Sequence, residues 1–202
     1  MTHLSTTSLA SYLDALASAT PTPGGGSAAG VAGAMGAALV EMVAGLSIAK
    51  SDAHGGEHSA LQQAALERAR SARAELLQLA EDDAVAYGAF MEALKLPKIS
   101  DDERTARTSA ISTAAQRAAE VPLATLRSTV AVAEAARSIL DKSLLAAASD
   151  LEVAARFARA AGESAAENVE ANLPYIDDPQ TRAEIASQTS AALTALHRAT
   201  PQ

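Results

Sequence analysis

Residues 24–49 read GGGSAAGVAGAMGAALVEMVAGLSIA and contain a single charged side chain, Glu41. Small residues recur four apart at Gly26, Gly30 and Ala34, a spacing that lets helices pack closely. The stretch is long enough to span a bilayer, but it has no aromatic belt and no cationic flank at its start. We therefore interpret it as the central helix of a soluble helical bundle, buried on most sides.

The composition of the whole chain favours the same fold class. Of the 202 residues, 52 are alanine and only five are aromatic. Alanine is the best helix former, whereas strands are enriched in β-branched and aromatic residues. One domain is the default at this length. The sequence thus predicts an all-α, single-domain bundle of long helices over residues 1–202.

Charge and cysteine content exclude several classes of function. The absence of cysteine rules out disulfides, thiol nucleophiles and sulfur-based metal sites. The formal charge is −8, from 16 basic and 24 acidic residues. The sequence contains no stripe of basic residues of the kind that binds nucleic acid. Residues 1–7 lack the cationic and apolar regions of a signal peptide. We expect a cytoplasmic protein with no nucleic-acid or membrane partner.

Apolar periodicity and breaker residues predict the helices. The predicted ranges are residues 7–19, 26–49, 57–96, 100–119, 122–140, 149–173 and 178–199. Two capping boxes are expected, Ser100 with Glu103 and Ser149 with Glu152. Pro122 either kinks one long helix or begins a new one. Glu41 is either buried or exposed, and the sequence does not decide between these alternatives.

The third predicted helix carries a carboxylate on its apolar stripe. Its spacing of three or four residues gives the series Leu76, Leu79, Asp83, Tyr87, Phe90 and Leu94. A carboxylate facing a core is costly unless it is paired, so Asp83 either serves a site or forms a structural hydrogen bond. A buried acid with a shifted pKa suits general acid–base chemistry, which makes Asp83 a candidate catalytic residue.

The helix predicted at 149–173 also carries polar residues on one face. The series is Asp150, Ala154, Phe157, Ala161, Ala165, Asn168 and Asn172. Asparagine is a mediocre helix former, so Asn168 and Asn172 are expected to contact either a ligand or another helix. Asp150 is either part of the same ligand site or a first-turn acid favoured by the helix dipole.

A glycine-rich loop is the third candidate feature. Residues 21–27 read PTPGGGS, and Pro23, Gly24, Gly25, Gly26 and Ser27 are candidate binding residues. Glycines allow close backbone approach, and the N–H groups of a helix start attract anions. A tight interhelical turn explains the loop equally well. His54 and His58 are four apart, but two glycines lie between them, so no metal site is expected.

These features resemble the cyclodeaminase/cyclohydrolase family. The matching segments are PTPGGGS at 21–27, GAMGAAL at 33–39, Asp83-Ala84 with Ala86-Tyr87, Leu96-Pro97-Lys98, Val121-Pro122-Leu123, Ser149-Asp150, Asn168-Val169 and Asn172-Leu173. They cover about residues 8–178 in the family's order, and the ordered set is more specific than any single motif.

The resemblance implies an all-helical homodimer that acts on a folate and needs no metal or redox cofactor. The implied reaction is hydrolysis of methenyltetrahydrofolate to 10-formyltetrahydrofolate. Alternatives are formimidoyltetrahydrofolate cyclodeaminase activity, with release of ammonia, and a non-catalytic folate-binding or dimerisation protein. Asp83 matches the family's acidic motif. Lys50, the cation that ends the central helix, is expected near the ligand, or else only complements the helix C-terminus.

Overall fold

Six α-helices account for most of the computed structural model, which describes residues 3–51 and 57–200. The helices are α1 (Leu9–Leu16), α2 (Gly25–Ser51), α3 (Ser59–Leu94), α4 (Asp101–Ile139), α5 (Ala148–Asn172) and α6 (Pro179–Ala199). Short 3-10 turns cover Leu4–Thr6, Leu145–Ala147 and Leu173–Tyr175. The described residues contain no strand, so the all-α prediction is confirmed.

The four long helices form a bundle whose order around the axis is α2, α3, α4, α5. α3 and α5 each pack against both α2 and α4, and α6 covers α4 and α5. Close approach depends on glycine. A Cβ on Gly30 would lie 2.8 Å from the carbonyl oxygen of Leu76, and one on Gly36 would lie 2.9 Å from that of Ala154. Large fully buried side chains such as Leu126 fill the space that remains.

Several predicted helix ends hold and others are wrong. The Ser100–Glu103 capping box is present, and Asp178 caps α6 through the backbone N–H groups of Gln180 and Thr181. The first helix is shorter than predicted, because Ser8 caps it and it ends at Leu16. The Ser149–Glu152 capping box is wrong, since the 3-10 turn at Leu145–Ala147 runs directly into α5.

Pro122 lies inside α4, which continues without a break from Asp101 to Ile139. A proline has no N–H to donate, so the carbonyl of Ala118, one turn earlier, loses its usual helical partner. The amide nitrogen of Asn172 on α5 donates to this carbonyl at 3.1 Å. An interhelical hydrogen bond thus replaces the one that the proline removes. Of the two alternatives at Pro122, one long helix is present and a new helix from residue 122 is wrong.

α2 is less enclosed than predicted. One side faces the bundle, but Met35, Met42 and Leu46 on the other side are 43%, 42% and 49% exposed. By length and composition this helix could cross a membrane. Of its most apolar stretch of 18 residues, 44% is buried inside the structure. Glu41 is half-buried and forms an ion pair with Arg73, with Arg70 at 3.7 Å. An apolar face of α2 is therefore left without a partner in the described residues.

Candidate functional site

The glycine-rich loop and three helices enclose a small cavity at one end of the bundle. The loop leads into the N-terminus of α2 after a cis peptide bond between Thr22 and Pro23. The cavity has a volume of about 190 Å³. It brings together six of the predicted site residues, Gly24, Gly25, Gly26, Asp83, Asn168 and Asn172.

Asp83 lies beside the first turn of α2. Its Oδ2 accepts a hydrogen bond from the backbone N–H of Ser27 at 3.1 Å. Burial raises the pKa of Asp83 above the usual aspartate range, and the bond from Ser27 opposes this only in part. The side chain therefore holds a proton more readily than an exposed aspartate does.

Gly26 makes this approach of the carboxylate possible. A Cβ at position 26 would lie 2.1 Å from Oδ1 of Asp83, a separation that real Cβ atoms essentially never show. The glycine thus removes the side chain that would exclude Asp83 from the helix start. Gly25 is less constrained, because its Cβ would lie 3.9 Å from the amide nitrogen of Asn168.

Tyr12 of α1 is a neighbour of the site that the sequence reasoning missed. Its side chain is 6% exposed, and its hydroxyl lies 3.2 Å from Oγ of Ser27. Burial raises the pKa of Tyr12, the hydrogen bond with Ser27 lowers it, and the negative charge of Asp83 raises it. Tyr12 was recognised only as part of an apolar stripe, because periodicity does not show where a short helix docks. Ser27 itself is buried and contacts both Tyr12 and Asp83.

Asn168 and Asn172 line the cavity from α5. Each donates its amide nitrogen to the backbone carbonyl one turn earlier, Ser164 for Asn168 and Asn168 for Asn172, in both cases at 2.8 Å. Asn172 also donates to Ala118 on α4. Asn172 therefore joins two helices, which is one of the two expected roles, and both asparagines also line the cavity.

The remaining lining residues were not predicted as site residues. They are Pro21, Thr22, Ala86, Tyr87, Phe90 and Ala118. Tyr87 and Phe90 belong to the same apolar stripe as Asp83, so the helical spacing in α3 could have identified them as neighbours of the site. Their rings give the cavity an apolar wall next to the carboxyl group.

Lys50 and Asp150 lie at the opposite end of the molecule. Lys50 is separated from Gly26 by 24 residues of α2, or about 36 Å at the helical rise of 1.5 Å per residue. Asp150 stands in the first turn of α5, about 27 Å along that helix from Asn168. Within one chain, neither side chain reaches the cavity that contains Asp83.

Lys50 lines a second cavity of about 380 Å³. Two side-chain hydrogen bonds tie this end together: Ser47 Oγ accepts from the N–H of Leu144 at 2.9 Å, and Gln62 donates to the carbonyl of Lys142 at 2.6 Å. Both bonds hold the segment between α4 and α5. The side chains of Ser47 and Gln62 are therefore engaged in holding backbone.

A larger open groove of about 710 Å³ lies between the first turns of α4 and α6. Its walls are rich in serine and threonine hydroxyls. Asp178 is one of the carboxylates of this groove. Hydrogen bonds from Thr181 hold the pKa of Asp178 below the usual range, and the Asp178 side chain already caps α6. It is thus a poorer place for proton transfer than the cavity at Asp83.

No metal centre emerges from residues 3–51 and 57–200, where no group of three or more His, Cys, Asp or Glu side chains is arranged to hold an ion. His54, half of the weak histidine pair noted above, lies outside the described residues. The chemistry available at the cavity is therefore that of a carboxyl group whose pKa is raised, backbone N–H groups of a helix start and two amides.

Comparison with known proteins identifies the family. The profile of the formiminotransferase-cyclodeaminase family matches residues 8–191. Methenyltetrahydrofolate cyclohydrolase of Methylorubrum extorquens is 42% identical over 167 residues, which cover 83% of this chain and 79% of that protein. Formimidoyltransferase-cyclodeaminase of Sus scrofa is 30% identical over 186 residues, 92% of this chain but only 34% of the larger protein.

The fold agrees with the sequence matches. The crystal structure of formiminotetrahydrofolate cyclodeaminase from Thermotoga maritima superposes with a TM-score of 0.78 and covers 96% of both chains at 28% identity. The resemblance noted in the sequence is thereby confirmed. With its matched profile, its relatives and its fold in agreement, this chain belongs to the formiminotransferase-cyclodeaminase family.

Proposed function

We propose that this chain is an enzyme that hydrolyses methenyltetrahydrofolate to 10-formyltetrahydrofolate. The observation that carries the proposal is the partly buried carboxyl group of Asp83, which faces a cavity at the start of α2 and has a raised pKa. The 42% identity to a methenyltetrahydrofolate cyclohydrolase over most of both chains supports this reaction in particular.

In this reaction a water molecule attacks the amidinium-like carbon between two folate nitrogens. Asp83 takes a proton from the water as the new carbon–oxygen bond forms. It then gives that proton to the nitrogen that leaves when the ring carbon–nitrogen bond breaks. The hydroxyl group on the carbon releases its own proton to solvent as the carbonyl forms, so the carbon remains as a formyl group on the other nitrogen. A raised pKa suits both steps, because the same carboxyl group must accept a proton and release it.

The cavity limits which part of the substrate is enclosed. About 190 Å³ is less than the 300–1,000 Å³ or so of typical sites for drug-sized ligands, so only the reacting end of a folate fits inside. The N–H groups of Gly25 and Gly26, together with the amides of Asn168 and Asn172, supply polar contacts there. The anionic tail of the folate then extends outside the cavity.

Formimidoyltetrahydrofolate cyclodeaminase activity is the second candidate. Its support is the structural neighbour from Thermotoga maritima, which bears that name, and the 30% identity to the larger animal enzymes. In that reaction the ring closes and ammonia leaves, again with proton transfers at one carbon between two nitrogens. A non-catalytic folate-binding role is the third candidate.

We infer further that the protein works in the cytoplasm as a homodimer, without a metal or redox cofactor. Folate is then its small-molecule substrate. Neither reaction changes the oxidation state of the carbon, so acid–base groups suffice. The exposed apolar face of α2 supports pairing of two chains.

Purified protein tests the proposal directly. Loss of the methenyl absorbance well above the spontaneous rate identifies the cyclohydrolase, and ammonia release from formimidoyltetrahydrofolate identifies the cyclodeaminase. Asp83→Asn keeps the size of the side chain, so we expect normal folding and a loss of turnover of about 10²–10⁴-fold.

Asp82→Asn is the matched control. Asp82 is the preceding carboxylate on α3 and bonds to Gln78 at 2.9 Å, outside the cavity, so its variant should retain turnover. Full activity in Asp83→Asn contradicts the catalytic role. Failure of that variant to fold, measured by circular dichroism, instead assigns Asp83 to structure. Absence of turnover with both folates supports the non-catalytic reading.

A further inference from the structure

The amide group of Asn168 is satisfied on one side only. Its nitrogen donates to the backbone carbonyl of Ser164 at 2.8 Å, and this bond identifies the nitrogen, because a carbonyl oxygen accepts and does not donate. Among the described residues, no N–H or O–H group donates to Oδ1 of Asn168. Asn168 is half-buried and lines the cavity. Its oxygen is therefore a hydrogen-bond acceptor that the chain itself leaves open at the cavity.

Asp83 leaves a second acceptor open in the same place. Its Oδ2 accepts from the N–H of Ser27, whereas no donor within residues 3–51 and 57–200 serves its Oδ1. This Oδ1 lies 2.1 Å from the position that a Cβ on Gly26 would occupy, and the amide nitrogen of Asn168 lies 3.9 Å from the corresponding position on Gly25. The amide and the carboxyl group thus approach the start of α2 at adjacent residues and line one cavity.

Two open acceptors in a small cavity suit a small molecule with several hydrogen-bond donors. Water donates through both of its O–H groups, and ammonium donates through every N–H group. Each reaction considered above uses one such molecule at the reacting carbon, because water attacks in the hydrolysis and ammonia leaves in the deamination. The amidinium group of methenyltetrahydrofolate has no N–H group of its own. In the hydrolysis, the donors that these two oxygens can bind therefore come from the water.

We propose that Asn168, through a hydrogen bond to its Oδ1, holds the small molecule that attacks or leaves at the reacting carbon. The inference rests on the proposed folate function and adds a second contact to the attacking water. A water molecule held by both side chains has its oxygen fixed relative to the carbon, which lowers the entropy cost of the attack. Asn168 is then a residue that orients the nucleophile.

The proton balance of the reaction stays as described above. Asp83 takes one proton of the water as the carbon–oxygen bond forms, while Asn168 accepts a hydrogen bond from the other O–H group, whose proton stays on oxygen. That second proton leaves to solvent when the carbonyl forms. An amide oxygen is too weak a base to remove a proton, so Asn168 takes no part in proton transfer.

Asn168→Ala removes the acceptor and puts the best helix former in its place. One O–H group of the water is then left without an acceptor, so we expect kcat to fall about 10–100-fold. KM should change little, because the amide contacts the nucleophile and not the folate. Ser164→Ala is the matched control. The hydroxyl of Ser164 also donates to a carbonyl one turn earlier, at 2.7 Å, but it lies outside the cavity, so this variant should keep the wild-type kcat.

Ammonium chloride probes the same place without a folate variant. An ammonium ion offers N–H groups to both open oxygens, so it should displace the attacking water and slow the formation of 10-formyltetrahydrofolate by the wild type. Tetramethylammonium chloride at equal ionic strength carries the same charge but has no N–H group, and should leave the rate unchanged. Asn168→Ala should lose most of its sensitivity to ammonium, whereas Ser164→Ala should remain as sensitive as the wild type.

The outcomes separate this inference from the proposed function. Full kcat in Asn168→Ala overturns the inference and leaves the cyclohydrolase proposal standing, and so does a rise in KM alone. Equal inhibition of the wild type by the two salts also overturns it. If circular dichroism shows that Asn168→Ala does not fold, the comparison of the two salts on the wild type decides by itself. If the wild type turns over neither folate, the proposed function fails, and this inference fails with it.

Discussion

The two ends of α2 use the same helix for different purposes. At its N-terminus, Gly26 admits the carboxylate of Asp83, which shares a cavity with two amides. At its C-terminus, Ser47 accepts a hydrogen bond from the backbone of Leu144, and nearby Gln62 donates to that of Lys142. One end places a titratable group beside a cavity, and the other uses polar side chains to hold a connecting segment.

Functional and structural polar residues in a helical bundle can be distinguished by how completely their polar atoms are satisfied. Gln62 is 3% exposed and is engaged with a backbone carbonyl, which is the ordinary way to satisfy a buried amide. Asp83 accepts a hydrogen bond from a backbone N–H, yet its pKa is still raised. A polar group that remains poorly compensated at a cavity is the better candidate for chemistry.

The largest expected effect comes from comparing a glycine at each end. Gly26→Ala forces Asp83 away from the helix start, because the new Cβ would lie 2.1 Å from Oδ1. We expect a loss of turnover of about 10²–10⁴-fold, as for removal of the carboxylate. Gly45→Ala, whose Cβ would lie 3.7 Å from Leu66, should retain turnover and gain about 0.5–1 kcal/mol of stability. Equal turnover in the two variants would contradict the requirement for glycine at position 26.

A smaller effect separates the amides at the two ends. Asn172→Ala and Gln62→Ala each remove a donor to a backbone carbonyl, so each should lower the free energy of unfolding by about 1–3 kcal/mol. Only the loss in Asn172→Ala should shrink in the Pro122→Ala background, because the new N–H at position 122 can then serve Ala118. Denaturant unfolding of the three single variants and the two double variants measures this. Additive effects of Pro122→Ala and Asn172→Ala would contradict the explanation of the uninterrupted α4.

The smallest effect is a pH dependence at the Asp83 end. The folded pKa of Asp83 lies above its unfolded value, so the folded state binds more protons in the window between them. Stability contributed by this group therefore falls as pH rises through that window. We expect wild type to lose unfolding free energy relative to Asp83→Asn over this range, measured by denaturant unfolding at several pH values. A relative gain with rising pH contradicts the sign of the pKa shift.

Periodicity in the sequence predicted the all-helical fold and much of the cavity. Asp83 and Asn172 were found because each is a polar residue on an apolar stripe, a local signal that helix geometry makes reliable. Local signals also explain the errors. Ser149 followed by Glu152 has the pattern of a capping box, but a preceding 3-10 turn already begins the helix.

Tertiary contacts account for what periodicity could not reveal. Pro122 does not end α4, and the donor that serves the freed carbonyl comes from another helix, 54 residues away in the chain. Tyr12 contacts Ser27 because the loop between α1 and α2 folds back, and residue spacing does not predict the path of a loop. The contact of Gly26 with Asp83 was likewise invisible, although each residue was singled out for its own reason.

That contact also restricts how the gene can diverge. A lineage that gains any side chain at position 26 must move or lose the acid at position 83, so the two codons are not free to drift independently. The reverse order is open: once the acid is gone, alanine or serine at position 26 costs little. Among distant relatives with this fold, a residue larger than glycine at this helix start therefore marks the branches in which the carboxylate has moved or been lost.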